Sequence, residues 1–274
     1  MAIQLVTAPT AQPMDLAEAK AHLRVGITDD DTLIGAIIPA IAGFAQEITK
    51  KQLVVARWKQ MQDSFFDSTG DDTIRLQRFP VVQVVSVQYL DFNSVTQTVD
   101  PATYSIDYTT EPVRIRPIFG HIWPIPVPQI GSVWVTFDAG YAAAVTVSTI
   151  TNAIVVSAWK PLLVGDAVRF SNSGGVLPAP LVVDTDYYVL TVVSPGVYTI
   201  GATSGGAPLV LTAVAVGSGT NYLGVVPPEI VAWMKLRLGA IYENREEEII
   251  ATRLTIVTLT FIDRMLDGFK AYEF

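Results

Sequence analysis

This chain of 274 residues contains no cysteine, only two histidines and few charges. Without cysteine there is no disulfide framework, no thiolate nucleophile and no cysteine-built zinc site. His22 and His121 stand about a hundred residues apart and form no local metal-ligand spacing. The sequence shows no G-x-S-x-G, no Walker loop, no dinucleotide fingerprint and no H-E-x-x-H. Basic residues are outnumbered: 18 Lys and Arg against 26 Asp and Glu, a net charge of −8. Broad adhesion to nucleic acid, which needs clustered Lys and Arg, is therefore not expected. No run of about 18 uniformly apolar residues is present, so no membrane span is expected. The opening MAIQLVTAPT lacks a basic segment and a signal-length apolar core, so cytoplasmic synthesis is the expectation.

What is present is hydrophobicity without a membrane signal. Half the residues are hydrophobic and 16% are charged. Such a chain must bury much of its surface internally or hide it against partners. Its length suits two domains better than one.

Charge density drops at about residue 139. Between 139 and 228 only Lys160, Asp166, Arg169, Asp184 and Asp186 are charged. Short β-branched runs there alternate with turns such as Asn172-Ser173-Gly174-Gly175, Ser194-Pro195-Gly196 and Ser204-Gly205-Gly206. Strands are predicted at 153–159, 166–171, 186–193, 197–201 and 208–215. The reading is an all-β module at 142–222 inserted into a discontinuous core formed by 1–141 together with 223–274.

The flanks begin and end in helices. Asp15 with Glu18 three residues on forms a capping arrangement after Pro13. A second helix starts near Asp30 or Asp31, and Leu33, Ile34, Ile37, Ile38, Ile41, Phe44, Ala45 and Ile48 are spaced for one buried face. Pro39 is expected to kink it. From 53 the period becomes two, predicting strands at 53–61, 73–77, 81–90, 103–108, 112–116 and 132–138. Pro227 and Pro228 open a third helix, with Ile230, Trp233, Met234, Leu238 and Ile241 facing inward. Segment 254–260 alternates like a strand, and a short last helix is predicted from Phe261 to Leu266. The expected class is α+β: a small helical core with a β-sheet insert, plus an inserted all-β domain.

Candidate chemistry is sparse. Asp29-Asp30-Asp31 point different ways on a helix start and are read as caps, not as one ion site. Asp71-Asp72 read as a hairpin tip, and Asp166, Asp184 and Asp186 as turn residues. Glu246, Glu247 and Glu248 beside Arg245 lack a nucleophile partner and read as a helix end or subunit contact, with Arg245 and Glu246 the contact candidates. His22 reads as a surface or packed residue near Glu18. His121 lies in the Pro-rich FGHIWPIPVP (119–128), where Trp123 is a candidate subunit contact, with core packing the competing reading. No catalytic, metal or cofactor site is expected, and the chain is read as a non-enzyme.

The segments L-x-E-A-K-x-H-L-R (16–24), with Asp30-Asp31, Leu33-Ile34 and Ala36 after it, and Tyr242-Glu243-Asn244-Arg245-Glu246 resemble the head–tail connector (adaptor, head-completion) proteins of long-tailed bacteriophages. The resemblance covers roughly 1–138 and 223–274. More weakly, 165–192 resembles a β-module found in phage structural proteins. The resemblance implies a virion protein at the head–tail interface, made in the host bacterial cytoplasm. It implies a ring of about twelve copies beneath the portal, contacting a tail-side stopper or terminator protein and passing DNA through its lumen without sequence-specific binding. It places a portal-binding tail at the C-terminus, with Phe269, Tyr272 and Phe274 as apolar anchors and Arg264 or Lys270 as polar ones. The competing reading is a tail or baseplate accessory whose β-module binds a glycan or host-surface ligand. Trp159 and Tyr187-Tyr188 are the aromatic residues there.

Overall fold

The computed structural model describes residues 1–67, 70–148, 150–156, 159–183, 185–212, 219–243 and 264–270. In chain order the elements are β1 (Ala2–Thr7), α1 (Leu16–Leu23), α2 (Asp31–Thr49), β2 (Ala56–Gln62), β3 (Ile74–Arg75), β4 (Val81–Leu90), β5 (Thr96–Thr98), β6 (Tyr104–Asp107), β7 (Arg114–Pro117) and β8 (Val133–Ala139). There follow β9 (Ala142–Ser148), β10 (Ala153–Val156), β11 (Ala167–Val168), β12 (Phe170–Ser173), β13 (Tyr187–Ser194), β14 (Val197–Gly201), β15 (Thr220–Gly224) and α3 (Pro228–Glu243). The class is α+β, as expected.

Period-two patterning builds the first layer. In β8 the residues Val133, Val135, Phe137 and Ala139 all turn inward and are buried. β8 is the centre of a five-stranded sheet of order β1-β2-β8-β4-β5. Against it lies the small sheet β3-β7-β6, and Ile74, Tyr104 and Ile115 meet Val87, Val135 and Phe137 between the two. On the opposite face of β8, Asp138 is only 1% exposed. It accepts from Arg57 Nε (2.8 Å), Arg57 Nη2 (2.9 Å) and Gln83 Nε2 (2.6 Å), which ties β2, β8 and β4 together.

The strands from β9 to β15 form a seven-stranded sheet of order β11-β13-β14-β10-β9-β15-β12. Its two end strands, β11 and β12, are consecutive in the chain, separated only by Arg169. The sheet thus curls almost closed on itself, around Ile154, Phe170, Val189, Ile200 and Leu223. The helices pack as a third group: Ile34, Ile38, Ile41 and Ala45 of α2 meet Ile230, Trp233, Met234 and Leu238 of α3. On composition α2 is apolar enough to span a bilayer, but the face that packs on α3 is core.

Several expectations need correcting. Strands β1, β5, β9 and β15 were not predicted, and 208–212 carries no strand. Leu33, Phe44 and Ile48 are exposed rather than buried, as is Ile241. The reason is that α1 and α3 pack on one side of α2, and among the described residues nothing else covers the apolar residues toward its outer side. Segment 254–260 and residues 261–263 lie outside the described residues. Of the predicted last helix, Arg264 is helical and Met265–Leu266 form a turn.

Candidate assembly interfaces

Residues from both flanks and from the β-module meet at the start of α1. Asp15 caps the helix by accepting from Ala17 N (2.9 Å). Its own N–H donates to Ser173 Oγ (2.6 Å), and that hydroxyl donates on to Glu18. Ser173 of β12 therefore sits inside the Asp15/Glu18 capping arrangement that the sequence suggested. Glu18 is also paired with Lys235 of α3 (2.8 Å), and Thr220 Oγ1 donates to Asp15 Oδ2 (3.1 Å). Gly174 (φ 81°) is required here, because a Cβ would lie 2.7 Å from Asp15 Oδ1. Tyr222 donates to the Gln12 carbonyl, and burial pushes its phenol up to about 12, so it stays a donor at any ordinary pH. The module is thus locked to the helices by polar contacts as well as by the shared core residues Ala142 and Tyr222. We expect Ser173→Ala to cost about 1–3 kcal/mol, since it orphans a part-buried N–H. Urea unfolding of the variant checks this; a loss under about 0.5 kcal/mol would mean that water replaces the hydroxyl.

The acidic residues do not converge. Asp31 pairs with Lys20 (2.5 Å), and Asp30 accepts from the Tyr242 hydroxyl (2.5 Å). Asp71 pairs with Arg75 and Asp72 with Arg116, each at 2.7 Å. Asp166 accepts from Leu163 N, while Asp186 pairs with Arg169. Asp184 lies outside the described residues. Among the described residues no group of three His, Cys, Asp or Glu could hold a metal ion. His22 and His121 are both exposed. A cavity of about 670 Å³ runs between Thr10–Leu16, α2 and β9, with no aromatic lining among the described residues. A smaller one on the module, about 250 Å³, sets Trp159 beside Lys160, Asp166 and Arg169.

The unusual surface is apolar. Phe44, 62% exposed, forms a groove of about 280 Å³ with Ile48, Arg237, Ala240 and Ile241, floored by Ile41 and Trp233. The Pro-rich loop exposes Phe119, Ile122, Ile125 and Ile130. Trp123, for which subunit contact and core packing were the competing readings, is not among them, and the packing reading holds. It is 3% exposed, stacked on Phe65 at 4.8 Å, and donates to the Asp72 carbonyl at 2.6 Å. A large ring with one N–H is most stable where both are satisfied, and the segment between β2 and β3 offers both through Phe65 and Asp72. An irregular loop has no period from which to read which residue points in. Arg264 and Lys270 are exposed, Lys270 pairing with Asp267 (2.6 Å). Phe269 packs partly against the helical core beside the buried Leu266. Tyr272, Phe274, Arg245 and Glu246 lie outside the described residues.

The comparisons with known proteins accord with this picture. Residues 13–110 match the family model described as Phage gp6-like head-tail connector protein, so the family resemblance read from α1 and α2 is borne out. No curated protein matches the chain. Three solved structures share the fold over the whole chain and over 97% of their own chains. They are the neck of an empty gene transfer agent (GTA) particle with C6 symmetry (15% identity, TM-score 0.58), the virion of a native GTA particle (15%, 0.57) and the neck of a native GTA particle with C12 symmetry (14%, 0.53).

Proposed function

We propose that this protein is a structural head–tail connector of a phage-like particle, a ring subunit beneath the portal that joins the DNA-filled head to the tail. The observation that carries the reading is a fold shared from end to end with chains of particle necks, with a connector-family segment at 13–110. C6 and C12 symmetry in those necks both suit a ring of twelve copies. Exposed apolar residues on α2, α3 and the 117–131 loop suit a subunit that is covered on assembly. A net charge of −8 suits a channel wall along which DNA slides without sticking. The partners are then the portal above, a tail-side stopper or terminator below, and neighbouring copies at the sides. Arg264, Lys270, Tyr272 and Phe274 are assigned to the portal, Phe269 packing instead on its own helical core, and Arg245 and Glu246 to the subunit contact. The role is assembly, in the virion, after synthesis in the host cytoplasm.

The groove at Trp159, with a cation and a carboxylate beside an aromatic ring, favours a second reading: a tail or baseplate accessory that binds a glycan. Electron microscopy of DNA-filled heads with and without the protein separates the two. A ring of added density under the portal is expected. Absence of density at that vertex would discard the connector reading, and glycan binding by the full chain would then support the second.

A further inference from the structure

We infer that neighbouring copies join through the two edges of the five-stranded sheet, β1 of one copy pairing in parallel with β5 of the next. The inference rests on the ring reading above. β1 is hydrogen-bonded on one side to β2, and among the described residues nothing pairs with its other side. Its six residues, AIQLVT, include no charge and no proline, and the first charged residue of the chain is Asp15. Edge strands that must stay alone are blunted by Lys, Pro, cover or bulges; here the sole irregularity falls between Leu5 and Thr7, leaving Ala2–Leu5 regular. Leu5 and Val6, at the bulged end of the strand, are both exposed, 44% and 52%. Ile3 packs on the sheet's core, and a strand so anchored with its other edge unpaired is stabilised by a strand that adds to it.

The other edge of the same sheet matches. β5 is Thr-Gln-Thr, uncharged, paired only with β4 among the described residues, and preceded by the exposed Phe92 and Val95. Strand polarity then fixes the geometry. The four steps β1–β2, β2–β8, β8–β4 and β4–β5 are all antiparallel, so β1 and β5 run in the same direction. A copy rotated about an axis near the strand direction brings its β1 alongside β5 of its neighbour in parallel. That contact is head-to-tail and repeats around a ring. A two-fold contact would instead place β1 against β1, antiparallel, and end at a dimer.

The absence of native cysteine makes the test clean. Following the register through β2, β8 and β4, Gln4 and Thr98 lie on one face, that of Thr136 and Trp134 respectively. Full-length protein carrying Gln4→Cys and Thr98→Cys together is incorporated into particles, oxidised, and run without reductant. The pairs Ala2→Cys with Thr98→Cys and Ala2→Cys with Thr96→Cys scan the register. At least one pair is expected to give a ladder of multimers beyond the dimer, with each single variant giving none. Dimers from Gln4→Cys alone would overturn the inference in favour of an antiparallel β1–β1 contact. No ladder from any pair, on particles whose necks show the ring by electron microscopy, would overturn it while leaving the ring reading intact. Particles that show no ring would sink both.

Discussion

Arg57→Ala is expected to lower the stability of the protein by about 3–5 kcal/mol, among the largest losses a single substitution here can cause. Asp138 is almost wholly buried in the middle strand of the five-stranded sheet, and its one cationic partner among the described residues is Arg57, gripping both carboxylate oxygens at 2.8 and 2.9 Å. The hydrogen bond and charge of Asp138 in turn hold the guanidinium more firmly protonated than usual. Removing the arginine leaves a charge in the sheet with only Gln83 to satisfy it. The arginine itself is partly exposed, so the loss comes from stranding Asp138 rather than from a strong surface pair. Three variants separate these contributions. Arg57→Lys keeps the charge but not the fork and should fall between wild type and alanine. Replacing both residues with apolar ones of similar volume should recover much of the loss. The check is the denaturation midpoint at unchanged slope. A loss below about 1 kcal/mol for Arg57→Ala would show that water reaches Asp138.

The effect is large because β8 was written with two faces, and that much could be read directly. Val133, Val135, Phe137 and Ala139 alternate with polar positions, and the strand lies where the alternation puts it. The strand at 197–201 was legible for the same reason, and that at 81–90 from its run of β-branched residues. The missed strands lack that signal. β9 opens with three alanines, weak strand formers, and β15 contains Asn221 and Gly224. Both are strands because the module's sheet needs them to pair with β10 and β12. β1 is uncharged throughout and resembles a leader into the first helix until β2 is there to receive it.

The helix faces show the same division. The period of α2 correctly marked Ile34, Ile38, Ile41 and Ala45 as buried, but it marked Phe44 and Ile48 too. Periodicity reports that a face is apolar and is silent on whether this chain or another covers it. Sequence reasoning counted all eight apolar positions of α2 as one core face, and only the positions of α1 and α3 divide them. Likewise the capping pair Asp15 and Glu18 was visible, whereas Ser173, 158 residues away from Asp15, could join it only through the tertiary fold.

Removing residues 271–274 is expected to leave folding unchanged and to abolish attachment to portal-bearing heads. The cut is placed after Lys270 because the preceding residues belong to the core. Leu266 is fully buried among the helices and Phe269 packs beside it, so a cut at 267 would mix lost packing with lost docking. Leu266→Ala, by contrast, should cost about 2–5 kcal/mol through the cavity it leaves. Phe269 thus anchors the segment to its own chain, which leaves Tyr272 and Phe274 as the apolar side chains proposed to enter a groove on the portal. Two measurements on each variant decide it: the melting temperature, and retention on heads after sedimentation. Short truncation with native melting and no retention is the expected pattern, because aromatic anchors dominate contacts of this kind. Native retention by the truncated protein would remove Tyr272 and Phe274 from the portal contact and leave Arg264 and Lys270 as the residues to change next. Loss of both melting and retention would show instead that the last four residues complete the fold.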